Sequence, residues 1–179
     1  MLQKIPYRSL NDTMTFNRSQ SEFKVAIPYK VGFIGTGHMA NAIIRGLIEG
    51  KVLGPTSIYG SNRSAGKLQK LAETHGIRSA ATNEELVESS DVVVLSMKPQ
   101  DLATAIDPIT SAFSDKQIVI SLAAGVTLDT LEDKLPGCRI VRLMPNTPSI
   151  IGRGVIGYVT NCEDDFIDTL IEDLFSPLG

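Results

Sequence analysis

Hydrophobic and polar positions along the chain follow two rhythms. Short, largely β-branched apolar runs occur at Val31-Gly32-Phe33-Ile34, Asp91-Val92-Val93-Val94-Leu95-Ser96, Gln117-Ile118-Val119-Ile120-Ser121-Leu122 and Arg139-Ile140-Val141-Arg142-Leu143-Met144. Such runs, bounded by turn residues, are expected of parallel strands covered on both faces. Between them the apolar residues recur at helical spacing. Ala40, Ile43, Ile44 and Leu47 make one stripe while Arg45 and Glu49 face outward, and Leu68, Leu71 and Ala72 mark a second helix over 65–75 with Gly76 as its C-cap. Thr82-Asn83-Glu84-Glu85 reads as a capping box opening a short helix through Val87. Further helices are predicted over 102–113, broken at Pro108, over 127–135 and over 164–174. Ser57-Ile58-Tyr59 and Ile77-Arg78-Ser79-Ala80 are weaker strands, and 152–159 is a last strand for which antiparallel pairing is open.

Strand and helix alternate from Val31 onward. That alternation predicts an α/β fold, doubly wound and Rossmann-type, with a mainly parallel sheet, helices on both faces and first-half strand order 3-2-1-4. The domain runs over 30–179. Residues 1–29 are polar and unpatterned, without the apolar core of a secretory signal, and read as a disordered extension or as a start upstream of the true one, with Met14 the alternative.

Composition narrows the functional classes. A chain of 179 residues, 42% hydrophobic, can bury one good core. Its net charge of −3 offers no basic field for nucleic acid or an anionic membrane. No apolar run approaches the roughly 20 residues of a membrane helix. Cys138 and Cys162 stand apart, with no CxxC and no histidine at ligand spacing, which argues against a metal site and for a reducing compartment, the cytoplasm.

The candidate chemistry lies where strands end. After the first run comes Gly35-Thr36-Gly37-His38-Met39-Ala40, a glycine turn opening a helix. A dinucleotide pyrophosphate can rest on a helix N-terminus only if the turn leading into it carries no obstructing side chains. After the second strand no Asp or Glu is available to bind a ribose 2′-hydroxyl; Ser61, Asn62, Arg63 and Ser64 offer donors instead, with Lys67 one turn on. A guanidinium forked onto a 2′-phosphate is a strong contact, so this cluster points to NADP(H), with NAD(H) the lesser ligand. Lys98-Pro99, Ala123-Ala124-Gly125 and Pro145-Asn146-Thr147-Pro148 follow the apolar runs at 91–96, 117–122 and 139–144 and form candidate edges for the rest of a cofactor.

Taken together, Val31 to Ala40, Ser61-Asn62-Arg63, Met97-Lys98-Pro99-Gln100, Ser121 to Leu128, and Arg142 to Pro148 followed by Gly152 and Gly154 resemble the pyrroline-5-carboxylate reductases, in family order. The resemblance implies reduction of 1-pyrroline-5-carboxylate to L-proline, a cyclic imino acid as the small-molecule substrate, and an oxidoreductase acting on a C=N bond. It puts the pyrophosphate on Ile34, Gly35, Thr36, Gly37, His38 and Met39, and the 2′-phosphate on Ser61, Asn62 and Arg63. Asn83 would lie near the adenosine ribose. Ser96, Met97, Lys98, Pro99, Leu122, Ala123 and Ala124 would form the cofactor shelf toward the nicotinamide, with Asn146, also a cofactor contact, and Thr147 near the nicotinamide and the substrate pocket. His38 stands where these reductases more often carry Asn or Gln. No catalytic nucleophile or base is implied in this half. The family's second, helical domain, which carries the homo-oligomer interface and substrate-carboxylate contacts, has no match in these residues. The resemblance therefore implies that the chain alone is inactive, that oligomerisation is weakened, and that the helix from Asp164 is poorly anchored. Two other readings keep the fold: an oxidoreductase of the 6-phosphogluconate dehydrogenase type, and a non-catalytic NADP-binding regulatory module.

Overall fold

The structure, a computed structural model, describes residues 29–162 and 164–178. Seven strands form one sheet in the order β3-β2-β1-β4-β5-β6-β7. They are β1 (Val31–Ile34), β2 (Ile58–Ser61), β3 (Arg78–Ser79), β4 (Val92–Leu95), β5 (Ile118–Ser121), β6 (Arg139–Pro145) and β7 (Ile156–Thr160). All neighbours are parallel except β6 and β7, so the first half has the expected 3-2-1-4 order and the last strand is antiparallel. The polarity follows from connection length. Strands β1 to β6 are joined by helical crossovers, whereas β6 and β7 are joined only by the short 3-10 segment Thr147–Ile151 and its flanking turn.

The alternation of side chains along each strand divides the core in two. Val31, Phe33, Val92, Val94, Ile118, Ile120, Val141 and Leu143 point to one face. There they meet Ile43, Ile44 and Leu47 of α1 (His38–Glu49), Leu71 of α2 (Ala65–His75), and Ile167, Ile171 and Phe175 of α6 (Asp165–Phe175). Ile34, Val93, Leu95, Val119 and Ile140 point to the other face. They pack on Leu86 and Val87 of α3 (Asn83–Glu88), Leu102 and Ile106 of α4 (Leu102–Ile106), and Leu131 of α5 (Leu128–Lys134). Gly32 permits the close seat of α3: a Cβ there would lie 2.5 Å from Leu86 Cδ2.

Local capping agrees with the sequence for most helices. The Thr82 and Thr127 side chains accept from the Glu85 and Thr130 amides, and Gly76 closes α2 in the left-handed region at φ +73°. The predicted break in the 102–113 helix comes one residue before Pro108. Residues Asp107–Ala112 continue as a 3-10 helix, because Pro108 has no N–H to donate to the carbonyl four residues back and its ring crowds that carbonyl.

Two expectations are corrected or refined. Far from being poorly anchored, α6 buries Ile167, Leu170, Ile171, Leu174 and Phe175 to 3% exposure or less, since its apolar stripe finds α1 and the sheet inside these same residues. Tyr29, assigned by sequence to the extension, packs edge to face on Phe166, and the Lys30 amide donates to Asp91 Oδ2 at 2.8 Å. The rest of the predicted disordered extension, residues 1–28, lies outside the described residues. Among the described residues no helix is long and apolar enough to cross a membrane.

Candidate functional site

The parallel strands β1, β2, β4, β5 and β6 all end at one edge of the sheet, and the strand order reverses between β1 and β4. Crevices for ligands in doubly wound sheets form at such a reversal. The turn between β1 and α1 occupies it. Gly35 has φ +87°, and its amide donates to Ser61 O at 2.9 Å, so the turn is tied to the end of β2. A Cβ on Gly35 would stand 3.2 Å from Met97 N, whereas at Gly37 it would meet nothing within 4 Å. Gly35 therefore makes the turn against β4, and Gly37 leaves open space over the helix N-terminus.

The start of α1, like that of α2, lacks the side-chain cap that α3, α5 and α6 have. Gly37 is its N-cap, no side chain caps it, and its first turn has no acidic residue. His38 is exposed and Met39 half-buried at this terminus. Uncapped amides, the positive end of the helix dipole and missing side-chain bulk together suit a phosphate group.

At the end of β2 the predicted donors separate into two kinds. Ser61 is buried and its hydroxyl bonds Asn83 Oδ1, while Asn83 Nδ2 donates to Ala105 O at 3.3 Å. Asn62 Nδ2 donates to Thr36 Oγ1 at 2.7 Å, and its Oδ1 accepts from Ser64 N at 3.3 Å. These side chains stitch the β1 and β2 turns to α3 and α4. Arg63 is the outward member, its side chain 81% exposed, and its guanidinium lies 3.2 Å from Asp101 Oδ1. Asp101 was not marked by the sequence. Only the 3-10 turn Pro99–Asp101 brings it back toward β2, and nothing local in the sequence announces that contact.

The shelf residues also divide by role. Ser96 Oγ donates to Gly35 O at 2.5 Å and its amide to Ile34 O at 3.0 Å, so Ser96 pins the glycine turn. Ala123 is buried, Leu122 and Met97 are half-buried, and Lys98, Pro99 and Ala124 are exposed along the edge. Asn146 is exposed just past β6, three strands from β1, and the backbone of Thr147 begins the 3-10 segment that follows. All the predicted residues thus lie at or beside the carboxyl edge. The sequence missed Ser149, which is fully buried behind Asn146.

Comparison with known proteins agrees with this geometry. Residues 30–125 match the family model described as NADP oxidoreductase, coenzyme F420-dependent. Among curated proteins, the chain is 40% identical over 124 residues to a pyrroline-5-carboxylate reductase of Arabidopsis thaliana, covering 69% of this chain and 45% of that one. It is 34% identical over 153 residues to one of Methanosarcina acetivorans, covering 84% and 56%. Among solved structures, a pyrroline-5-carboxylate reductase from Coxiella burnetii superposes with a TM-score of 0.79 at 36% identity, over 84% of this chain and 57% of that one. The chain spans about half the length of the curated relatives it matches. Since the family model covers more than half of its residues, the chain belongs to the NADP oxidoreductase family so described, and within it stands beside the pyrroline-5-carboxylate reductases.

Proposed function

We propose that this chain supplies the cofactor-binding half of an NADPH-dependent reduction of 1-pyrroline-5-carboxylate to L-proline. One observation carries the reading: an unobstructed glycine turn at the strand-order reversal stands beside a β2 terminus that carries Arg63 and no carboxylate of its own. The amides of 34–39 would bind the pyrophosphate. Arg63, with Asn62 and Ser61 holding its turn, would receive the 2′-phosphate in exchange for Asp101, and Asn83 would brace the ribose pocket. Residues 96–99 and 122–124 would form the wall toward the nicotinamide, and Asn146 and Thr147 would stand beside the nicotinamide where it meets the substrate pocket. The nicotinamide, when bound, supplies the hydride. An iminium carbon accepts hydride readily, so this half needs only to orient the two partners and exclude water. Among the described residues, no group of three or more histidine, cysteine or carboxylate side chains that could hold a metal ion gathers there.

The same reading includes a cytoplasmic setting, no nucleic-acid partner, and homo-oligomerisation through parts of the relatives that have no counterpart in these 179 residues. Titration followed by cofactor fluorescence tests the cofactor claim: NADPH is expected to bind more tightly than NADH, and equal affinities would remove the role given to Arg63. For the substrate, NADPH consumption with added 1-pyrroline-5-carboxylate is expected to be negligible for these residues alone. Positioning can contribute about 7–11 kcal/mol to such a step, and in this reading the part of the relatives' length that the chain does not match would supply it. Robust turnover by the chain alone would show that the substrate site lies within it.

A further inference from the structure

The loop after β6 fixes the polarity of one side chain at the sheet edge. Asn146 Oδ1 accepts from the Val155 amide at 3.1 Å and from Ser149 Oγ at 3.2 Å. A backbone N–H can only donate, so the atom facing Val155 must be the amide oxygen and the amide cannot be flipped. Ser149 is 0% exposed, and the loop is built closely around it: a Cβ on Gly154 would fall 2.7 Å from Ser149 Cα. With Oδ1 turned into the loop, Nδ2 is presented on the exposed side, and among the described residues it has no acceptor.

We propose that Asn146 is a donor-only contact for the carboxamide oxygen of the nicotinamide, and that Ser149 is the positioning residue that holds it so. The assignment rests on the cofactor reading above and extends it. The direction follows from the sheet. At a strand-order reversal the two halves of a dinucleotide diverge; Arg63 on the β2 side takes the adenosine half, so the nicotinamide half runs over β4 and β5 toward β6. An amide there whose acceptor is already occupied selects a ligand group that brings an oxygen.

The test compares the wild-type chain, Asn146→Asp and Ser149→Ala with two probes: NADPH, and 2′-phospho-ADP-ribose, the same nucleotide without its nicotinamide. Asn146→Asp keeps an oxygen for Val155 and Ser149, removes the donor and adds a negative charge, whose repulsion of the phosphates both probes would register alike. It is expected to weaken NADPH about tenfold or more while leaving 2′-phospho-ADP-ribose unchanged. Ser149→Ala is expected to weaken NADPH severalfold, again without effect on the truncated probe, an outcome that general loss of structure would not give. NADPH affinity unchanged in Asn146→Asp overturns the proposal, as does equal weakening of both probes. A loss seen only once L-proline is added to NADP+ would assign the donor to a substrate carboxylate and overturn the nicotinamide assignment. Failure of the wild type to bind either probe sinks the cofactor reading and this one with it.

Discussion

Gly35 carries two constraints at once, a left-handed backbone and a close approach to Met97 N. Gly35→Ala is therefore expected to lower stability by more than about 1 kcal/mol in denaturant unfolding, and to weaken nucleotide binding as well. Arg63 is exposed and pairs, among the described residues, with Asp101, so Arg63→Ala should leave folding nearly unchanged. Its expected effect is on discrimination: a loss of about 1.5–3 kcal/mol in the preference for NADPH over NADH, read from paired titrations. Cys138 gives a pH dependence. Burial, with the Asp115 charge adding to it, pushes this thiol up. The folded chain then keeps a proton that the unfolded chain releases. That contribution is full below the ordinary thiol range and is lost as pH rises toward the raised value. Above about pH 9 the melting temperature of the wild type is expected to fall faster than that of Cys138→Ala. A parallel decline of the two would exclude this source. Gly35, Gly37 and Arg63 could be picked out in the sequence because glycine and charge at strand ends have few other uses. Asp101 and Ser149 could not, because a turn far along the chain and a buried hydroxyl leave no periodic or compositional mark.

Periodicity reports an apolar stripe but not what covers it. The stripe of α1 and that of α6 were both visible, yet only the fold shows that they share one face of the sheet. Phe175, 1% exposed in that layer, is expected to cost about 3–5 kcal/mol when replaced by alanine, measured by chemical denaturation. A cost below about 1 kcal/mol would mean that α6 is as loosely held as its sequence suggested. The Thr82 cap and the break at Pro108 were read correctly for a different reason: caps and prolines act within a few residues, so their signal is local. The pairing of β7 was left open because only the length of the link from β6 decides it.

Across the whole chain, the site is a property of strand order. Gly35, Arg63, Ser96 and Asn146 come from four separate connections, and parallel winding delivers each to the same edge. NADPH bound there is expected to raise the melting temperature by linkage, with about 2.7 kcal/mol of added stability at a hundredfold excess over its dissociation constant. An unchanged melting temperature would undercut the nucleotide site itself. The seat of α6 has a further consequence for synthesis. Gly46 of α1 packs near Leu178, and the Gly154 amide donates to Leu178 O at 2.9 Å. The first described helix therefore waits for nearly the last described residue before its apolar face is sealed. Nascent chains stalled before residue 165 are expected to present Ile43, Ile44 and Leu47 to chaperones, and to become protease-resistant only when α6 has emerged.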